Sequence, residues 1–221
     1  MDAIEVIKSR HCVRAFLDKP VPPELINQIL EAARFAPSGV NTQPWKVAVV
    51  TGKSKQAISD AILALRAADQ KPNPDYQYYP TEWIEPYSAR RKACGLALYG
   101  ALQIRKDEME KRLEAWNNNY HFFGAPMGLF FFIEARMEKG SWLDMGMFIQ
   151  NVMLAAIDVG LATCPQAAMA EYPRVVREHL NISANYHLIC GMAVGYGDNN
   201  AVINQYHTER EPVESFTSWY K

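Results

Sequence analysis

The stretch from Ala36 to Trp45, which reads A-P-S-G-V-N-T-Q-P-W, has side chains suited to binding a polar ligand. Its amides both donate and accept hydrogen bonds, and Gly39 lets a ligand approach the backbone closely. This chemistry suits a flat heterocycle or a sugar chain that carries donors and acceptors. A polar loop that satisfies its own hydrogen bonds explains the same residues equally well.

A second candidate site is the segment from Arg10 to Arg14, R-H-C-V-R, which is predicted to be extended. Because side chains alternate along an extended chain, Arg10, Cys12 and Arg14 are expected to point the same way. Two neighbouring guanidinium groups repel each other unless an anion or a carboxylate lies between them. Surface salt bridges to Asp18 or Glu24 are one solution. The apolar neighbours favour a half-buried setting instead, and with it an anion site. These neighbours are Val13, Phe16 and Leu17.

A third candidate region comprises residues 69–86 and the start of the helix predicted to follow. The segment is rich in proline and tyrosine and is long for a structureless loop, which is typical of a mobile segment or a lid. Arg90 and Arg91 fall in the first helical turn, where positive charge opposes the helix dipole. We therefore expect an anionic or polar partner there, with Tyr87, Arg90 and Arg91 as candidate substrate contacts. The alternative is that the tyrosines pack on the surface and the arginines are solvated.

Apolar periodicity predicts the helices and strands that must position these candidates. A helix begins at 22–24, with proline in its first turn. The other predicted helices cover 2–9, 54–68, 87–104, 106–117, 141–159 and 172–179. The predicted strands cover 46–51, 127–135 and 186–195, and a fourth runs from 160 to a stop at Pro165. No linker, low-complexity tract or repeat divides the chain, so we predict a single domain over 1–221.

The helix predicted over 141–159 is apolar around nearly its whole circumference. Such a helix must be covered on every side, and a domain of this size can do so only with difficulty. We therefore expect part of its surface to contact a second subunit. The tail, residues 198–221, ends in the aromatic pair Trp219 and Tyr220 and is expected to pack along another surface.

The composition is that of an ordinary globular protein, with 221 residues, a net charge of −1, 49% hydrophobic and 21% charged residues. The balanced charge gives no reason to expect a nucleic acid or a membrane surface as partner. The N-terminus lacks the features of a signal peptide, and the four scattered cysteines have no metal-ligand spacing. We therefore expect free thiols, no metal and a cytoplasmic location.

Several of these stretches together resemble the nitroreductase family of FMN-dependent oxidoreductases, along essentially the full chain. The resemblance rests on the common order of 9–14, 36–45, 144–151, 160–167 and 210–214. Residues 90–100 and 122–126 are similar to the branch that contains nitrobenzoate-type reductases. The family implies an α+β fold, a nitroreductase-like α/β/α sandwich with a mixed sheet flanked by helices. It also implies an intertwined homodimer with FMN at the interface and the tail of about 198–221 wrapping the partner.

The resemblance also implies a set of FMN-binding residues. Arg10 and Arg210 would bind the phosphate, and Arg14 would lie at the N1–C2 carbonyl edge of the ring. Ser38, Gly39 and Asn41 would come from the other subunit. The full implied set is Arg10, His11, Cys12, Arg14, Pro37, Ser38, Gly39, Asn41, Pro165, Gln166, Ala167 and Arg210, with the backbone of 165–167 near N5. Cys12 departs from the serine that is common in the family, and a thiol is a poorer phosphate donor than a hydroxyl.

The implied activity is hydride transfer from NADH or NADPH through flavin N5 to a nitroaromatic or quinone-type acceptor, in a ping-pong mechanism. No catalytic side chain is required, and a structural role is expected for His121, His179 and His187. Two alternatives share the fold or the cofactor: other flavin chemistry, such as reductive dehalogenation or dehydrogenation, and a non-catalytic flavin-binding protein. An enzyme needs an open flavin face, whereas a binding protein tolerates a sealed one. The sequence does not distinguish NADH from NADPH or one-electron from two-electron reduction.

Overall fold

The computed structural model describes residues 2–221, and within them it has seven α-helices and four strands. The helices are α1 (Ala3–Ser9), α2 (Pro23–Ala33), α3 (Gly52–Ala67), α4 (Tyr87–Ala101), α5 (Met109–Asn117), α6 (Lys139–Asp158) and α7 (Pro173–Leu180). The strands are β1 (Trp45–Thr51), β2 (Met127–Glu134), β3 (Ala162–Gln166) and β4 (Tyr186–Gly195). Every predicted helix and strand is present, and the ends differ from the predictions by a few residues.

The four strands form one sheet in the order β1-β2-β4-β3. All three neighbouring pairs are antiparallel. The mixed sheet expected from the family resemblance is thus corrected to an antiparallel one within the described chain. Strands β2 and β3 do run in the same direction, as a helical crossover through α6 allows, but β4 lies between them and runs the opposite way.

Two apolar cores, one on each face of the sheet, make the molecule an α/β/α sandwich. Alternate residues of β2 point to opposite faces, so Phe131 lies in one core while Phe130 and Phe132 lie in the other. The first core is completed by α2 and α6, and the second by α3 and α7. The predicted α+β class is confirmed, with a buried β2 that has apolar side chains on both faces.

Strand β3 continues through Pro165 to Gln166, one residue beyond the predicted stop. Proline has no N–H to donate and is therefore tolerated mainly in edge strands. Strand β3 pairs only with β4 and lies at the edge of the described sheet. The strand ends where the chain turns into a short 3-10 helix over Ala167–Glu171.

Helix α6 buries one face completely, including Phe148 and Val152, but a single chain does not cover the rest. Leu143 is 70% exposed, and several other apolar side chains of the helix are only partly buried. Helices α1, α4 and α5 contain no buried residue at all. These elements leave an extensive apolar surface on the isolated chain.

The segment 69–86 is attached to the sheet near its middle rather than free along its length. Asp75 accepts hydrogen bonds from Arg177 (2.5 Å) and from the backbone N–H of Leu188 (3.0 Å). The Tyr76 hydroxyl donates to the Ile189 carbonyl oxygen (2.5 Å). Residues 77–82 beyond this attachment are exposed. Residues 77–82 therefore remain available to act as a lid.

Candidate functional site

The segment from Arg10 to Arg14, the arginine segment, lies against β3, the edge strand of the sheet. The backbone N–H of Val13 donates to the Thr163 carbonyl oxygen of β3 at 3.1 Å. The Arg14 guanidinium folds back to the Cys12 carbonyl oxygen, with Nη1 at 3.4 Å. Arg10, Cys12 and Arg14 are each partly buried while Val13 is buried, in agreement with the predicted half-buried extended segment.

Asn204, a residue that sequence reasoning did not identify, positions this segment. Its buried side chain accepts a hydrogen bond from the Arg14 backbone N–H (2.7 Å) and donates to the Ala15 carbonyl oxygen (2.8 Å). It also donates to the carbonyl oxygen of Asp198 (2.8 Å). One side chain therefore connects the arginine segment to the start of the tail, across about 190 positions in sequence. No local pattern could have indicated this contact.

The charges of Arg10 and Arg14 have no carboxylate partner among residues 2–221. The alternative of surface salt bridges to Asp18 or Glu24 is thus not observed. The pKa of the Cys12 thiol is held below its usual value by the neighbouring Cys164 thiol and by the Arg14 and Arg10 charges, against the opposing effect of burial. A low thiol pKa is characteristic of an electropositive environment. The segment therefore presents positive charge that is available to an anion.

The end of β3, the strand that Val13 contacts, supplies hydrogen-bond donors. Ala167 and Ala168 are the first residues of a 3-10 helix, so their N–H groups have no acceptor within it. Pro165 and Ala167 are partly exposed, whereas the Gln166 side chain is buried and turned inward, where it donates to the Asn119 carbonyl oxygen. Only the backbone of Gln166 can therefore line a ligand site, as the predicted role requires. The Oε1 atom of the Gln166 side chain is buried without a partner among the described residues.

The tail reaches the arginine segment through a pair of histidines. The rings of His11 and His207 are 4.6 Å apart in an edge-to-face arrangement, and His11 Nδ1 lies 3.0 Å from the Ser9 carbonyl oxygen. Arg210 is exposed, and its Nη1 donates to the carbonyl oxygens of Thr208 and Glu209. The structure thus brings the part of the tail around His207 beside the arginine segment. The guanidinium of Arg210, three residues further on, is folded onto its own backbone.

The loop from Pro37 to Gln43 is exposed, and its backbone is in an unusual conformation. Val40, Asn41 and Gln43 all have positive φ, at 45°, 59° and 50°. The Gln43 N–H donates to the Ser38 hydroxyl oxygen (3.0 Å), and the Gly39 N–H donates to Asp144 Oδ2 of α6 (3.2 Å). All other hydrogen bonds of these residues within the described chain remain inside the loop. Hydrogen bonds within the loop define its shape, and its outer surface is open.

Helix α4 places the third group of candidate residues beside the tail. Arg90 Nε lies 2.9 Å from Glu211 Oε1, and the Arg90 guanidinium also lies over the ring of Tyr87, 5.6 Å from its centre. The guanidinium of Arg91 lies 5.0 Å from the ring centre of Trp83. Tyr206, further along the tail, donates to the Cys94 carbonyl oxygen of α4 (3.3 Å). The tail up to residue 211 therefore lies between α4 and the arginine segment.

These elements together form an incomplete site for an anionic, ring-containing molecule. A guanidinium group such as that of Arg10 can bind a phosphate, and the N–H group of Ala167 can donate to a ring edge. No group of three or more metal-ligating side chains is found among residues 2–221. In the same range no helix is long and apolar enough to cross a bilayer. The donor set suits an organic phosphate, and the predicted FMN fits it.

The chain is similar to known proteins along most of its length. The model of the nitroreductase family matches residues 7–196. The chain is 40% identical to 4-nitrobenzoate reductase of Pseudomonas putida over 96% of its own length and 92% of that protein.

Two solved structures are similar throughout. One is the FMN and NADPH-dependent nitroreductase NfnB from sphigopyxis sp. strain HMH, with a TM-score of 0.97, 38% identity and full coverage of both chains. The other is the FMN-dependent nitroreductase NfnB from Mycobacterium smegmatis in complex with NADPH. Its TM-score is 0.95 at 32% identity, and the alignment covers 99% of this chain and 98% of that one. The chain therefore belongs to the nitroreductase family.

Proposed function

We propose that the protein is an FMN-dependent oxidoreductase that uses NADH or NADPH to reduce a nitroaromatic acceptor. The observation that carries this proposal is the pair Arg10 and Arg14, which have no carboxylate partner in the described chain and lie in a segment that is hydrogen-bonded to β3 through Val13. The N–H group of Ala167 follows the end of the same strand. The relatives named as nitroreductases, and the FMN-dependent structures among them, support the same activity.

Each part of the site has a proposed role toward FMN. Arg10 binds the phosphate, and His11 and Cys12 lie beside it. Arg210 joins them when its guanidinium turns away from its own backbone. The backbone of Pro165, Gln166 and Ala167 would line the ring near N5, and the N–H group of Ala167 would donate to it. FMN, when bound, supplies the chemistry, since it accepts and donates hydride. Arg14 stabilises negative charge at the N1 edge of the ring, and this charge stabilisation is built into the fold before substrate binds.

We also propose that the enzyme is a homodimer whose site is completed by the partner. The loop of Pro37, Ser38, Gly39 and Asn41 makes its hydrogen bonds only within itself and to α6, so its outer face is free to contact another subunit. Exposed apolar side chains on α1, α6 and the end of the tail supply the surface that a dimer would cover; they include Ile4, Ile7, Leu143, Phe216, Trp219 and Tyr220. The end of the tail, 213–221, is proposed to clasp the partner.

The acceptor is proposed to lie against α4 and residues 77–82 of the segment that precedes it. Tyr87, Arg90 and Arg91 are candidate contacts, and their charge favours an aromatic acceptor with an anionic group. Of the two arginines, Arg91 is the one without a carboxylate partner among residues 2–221. A nitrobenzoate has both features, an aromatic ring and a carboxylate.

The decisive experiment is anaerobic reduction of the purified protein. We expect a yellow protein with the absorbance of an oxidised flavin, at roughly 450 nm. This absorbance should be lost on adding NADPH or NADH and should return on adding 4-nitrobenzoate. A yellow protein that neither nicotinamide reduces would be a flavin-binding protein instead. A protein that restores its colour with a halogenated phenol but not with any nitroaromatic would favour the dehalogenation alternative.

A further inference from the structure

Asp144 is a carboxylate in an apolar setting with a single hydrogen-bond partner in the described chain. It lies on α6, is 7% exposed and is flanked by core residues such as Met145 and Phe148. Its Oδ2 atom accepts the hydrogen bond from the backbone N–H of Gly39 at 3.2 Å. A carboxylate is rarely buried in this way without a specific role, because removing its charge from water is unfavourable.

The loop that Asp144 contacts is in a conformation that its sequence does not favour. Val40 has φ 45° and ψ 28°, in the left-handed region that β-branched residues avoid, and its side chain is fully exposed. An apolar, β-branched residue at such a position is retained only when the surrounding structure holds the backbone there. The loop's internal bonds, such as that of Gln43 N–H to Ser38 Oγ, fix its shape but not its position on the protein. The bond between Gly39 and Asp144 is its one side-chain hydrogen bond to the rest of the described chain.

We propose that Asp144 is a positioning residue that fixes the Ser38–Asn41 loop where it meets the flavin of the partner subunit. This inference rests on the proposed function, in which that loop completes the site across the dimer. Since Asp144 contacts the loop through the Gly39 backbone, it acts without touching cofactor or substrate. Its oxygen, rather than its charge, is the required feature, because the partner is a neutral N–H group.

The test compares Asp144→Ala with Asp144→Asn in the full-length, FMN-loaded protein. The asparagine amide retains an oxygen that can accept from Gly39, whereas alanine retains none. We expect Asp144→Ala to weaken FMN binding about tenfold, as loss of one hydrogen bond of about 1.4 kcal/mol implies. Hydrogen exchange of the peptide spanning 36–45 should accelerate by a similar factor. Asp144→Asn should stay within about twofold of the wild type in both measurements.

A matched control is Asp158→Ala, which removes an exposed carboxylate from the end of the same helix and should change neither measurement. If Asp144→Ala does not fold, Asp144→Ser replaces it, because a serine hydroxyl is too short to reach Gly39 and the same losses are expected. Unchanged loop exchange and FMN affinity in the alanine or serine variant would overturn the proposal. Equal losses in the asparagine variant would also overturn it, since the charge would then be the operative feature.

The wild-type protein distinguishes failure of the proposed function from failure of the Asp144 proposal. Wild-type protein that binds no FMN, or whose flavin no nicotinamide reduces, would refute the function. The loop exchange of the Asp144 variants would still decide whether the carboxylate positions the loop. In a functional enzyme the KM for the acceptor should rise more than kcat falls in Asp144→Ala, because the loop bounds the site without taking part in the chemistry. A fall in kcat alone would count against positioning.

Discussion

Arg90 and Glu211 form an ion pair between α4 and the tail, with Arg90 Nε 2.9 Å from Glu211 Oε1. The next residue, Arg91, instead lies over the ring of Trp83. Two adjacent arginines thus have different electrostatic surroundings. An anionic acceptor must compete with Glu211 for Arg90, whereas Arg91 has no carboxylate partner in the described chain.

We predict that replacing both arginines by alanine selectively weakens the binding of carboxylated acceptors. Each exposed ion pair contributes about 0.2–1 kcal/mol, so KM for 4-nitrobenzoate should rise about two- to thirtyfold. The methyl ester, which lacks the charge, should be unaffected, as should flavin reduction by the nicotinamide. Steady-state kinetics on the acid and ester pair make the comparison. An equal loss on both compounds would mean that the arginines are structural.

The same ion pair predicts the opposite effect for Glu211→Gln. Removing the competing carboxylate frees the Arg90 guanidinium, so kcat/KM for the acid should rise by up to about fivefold. The pair is roughly half exposed, which keeps this effect small. Glu214→Gln, a neutralised carboxylate in the same tail, serves as the control for net charge. A gain with both variants, or with neither, would exclude specific competition at Arg90.

A third prediction concerns Cys12 and the pH dependence of FMN binding. Its pKa is lowered to about 5, first by the Cys164 thiol and then by Arg14 and Arg10. Above that pH the thiolate opposes the FMN phosphate, and as pH falls through the pKa the proton removes this repulsion. Wild-type affinity should therefore improve relative to Cys12→Ser on acidification. At pH 7–8 the serine variant should bind about tenfold more tightly.

Cys12→Ala separates the two contributions of serine in this experiment. Alanine removes the thiolate charge but supplies no hydroxyl donor. It should share the pH profile of the serine variant while binding FMN more weakly than that variant does. Since the FMN phosphate itself titrates, the ratio of affinities at each pH is the quantity to compare. A ratio that stays constant from pH 4.5 to 8 would show that Cys12 carries no charge in the site.

Much of the fold could be predicted because its signals are local. The apolar run of β2 over 129–133 and the proline at the start of α2 are visible in a short window of sequence, and the strand and the helix start were both predicted. Strand pairing is not local: the antiparallel order follows from β4 inserting between β2 and β3, which nothing in any single strand specifies. Pro165 is tolerated within β3 because β3 lies at the edge of the sheet, and the sequence of β3 alone does not specify that position.

The candidate site also has features that are local in sequence and features that depend on distant residues. The arginine segment and the loop at 36–45 were predicted as candidate sites from residue type and spacing, and the structure agrees on the half-buried setting of the arginine segment. The residues that hold them, Asn204 and Asp144, were not predicted, because their partners are 190 and 105 positions away in sequence. A polar residue inside an apolar helix, such as Asp144, is the one signal that could have pointed to such a contact.

A fourth prediction tests the attachment of the segment 69–86. Asp75 pairs with Arg177, and both side chains are largely buried, at 12% and 14% exposed. Removing one partner of a buried pair leaves the other uncompensated, so Asp75→Asn should lower the free energy of unfolding by about 3 kcal/mol. Urea denaturation measures this change. Asp69→Asn, at an exposed position of the same segment, should be near neutral. Equal and small effects of both variants would mean that the pair does not hold the segment.

The last prediction concerns the tail, whose two halves have different roles in the structure. Residues up to Glu211 contact their own chain through Asn204, Tyr206 and the Arg90 ion pair. Residues 213–221 are nearly all exposed, with Trp219 and Tyr220 87% and 93% exposed. A cut after Gly197 would remove Asn204 and disturb the arginine segment directly. A cut after Pro212 removes only the exposed half.

We expect truncation after Pro212 to weaken the dimer and with it FMN retention, while the isolated chain keeps its fold. Each large aromatic side chain in such a tail can bury roughly 150–250 Å² against a partner, so losing Phe216, Trp219 and Tyr220 removes a substantial contact. Size-exclusion chromatography with light scattering, together with the ratio of flavin to protein, measures both effects. Trp219→Ala with Tyr220→Ala in the full chain should produce a smaller loss of the same kind. A truncated protein that remains dimeric and fully yellow would show that the tail does not hold the partner, and the dimer would then depend on the exposed faces of α1 and α6.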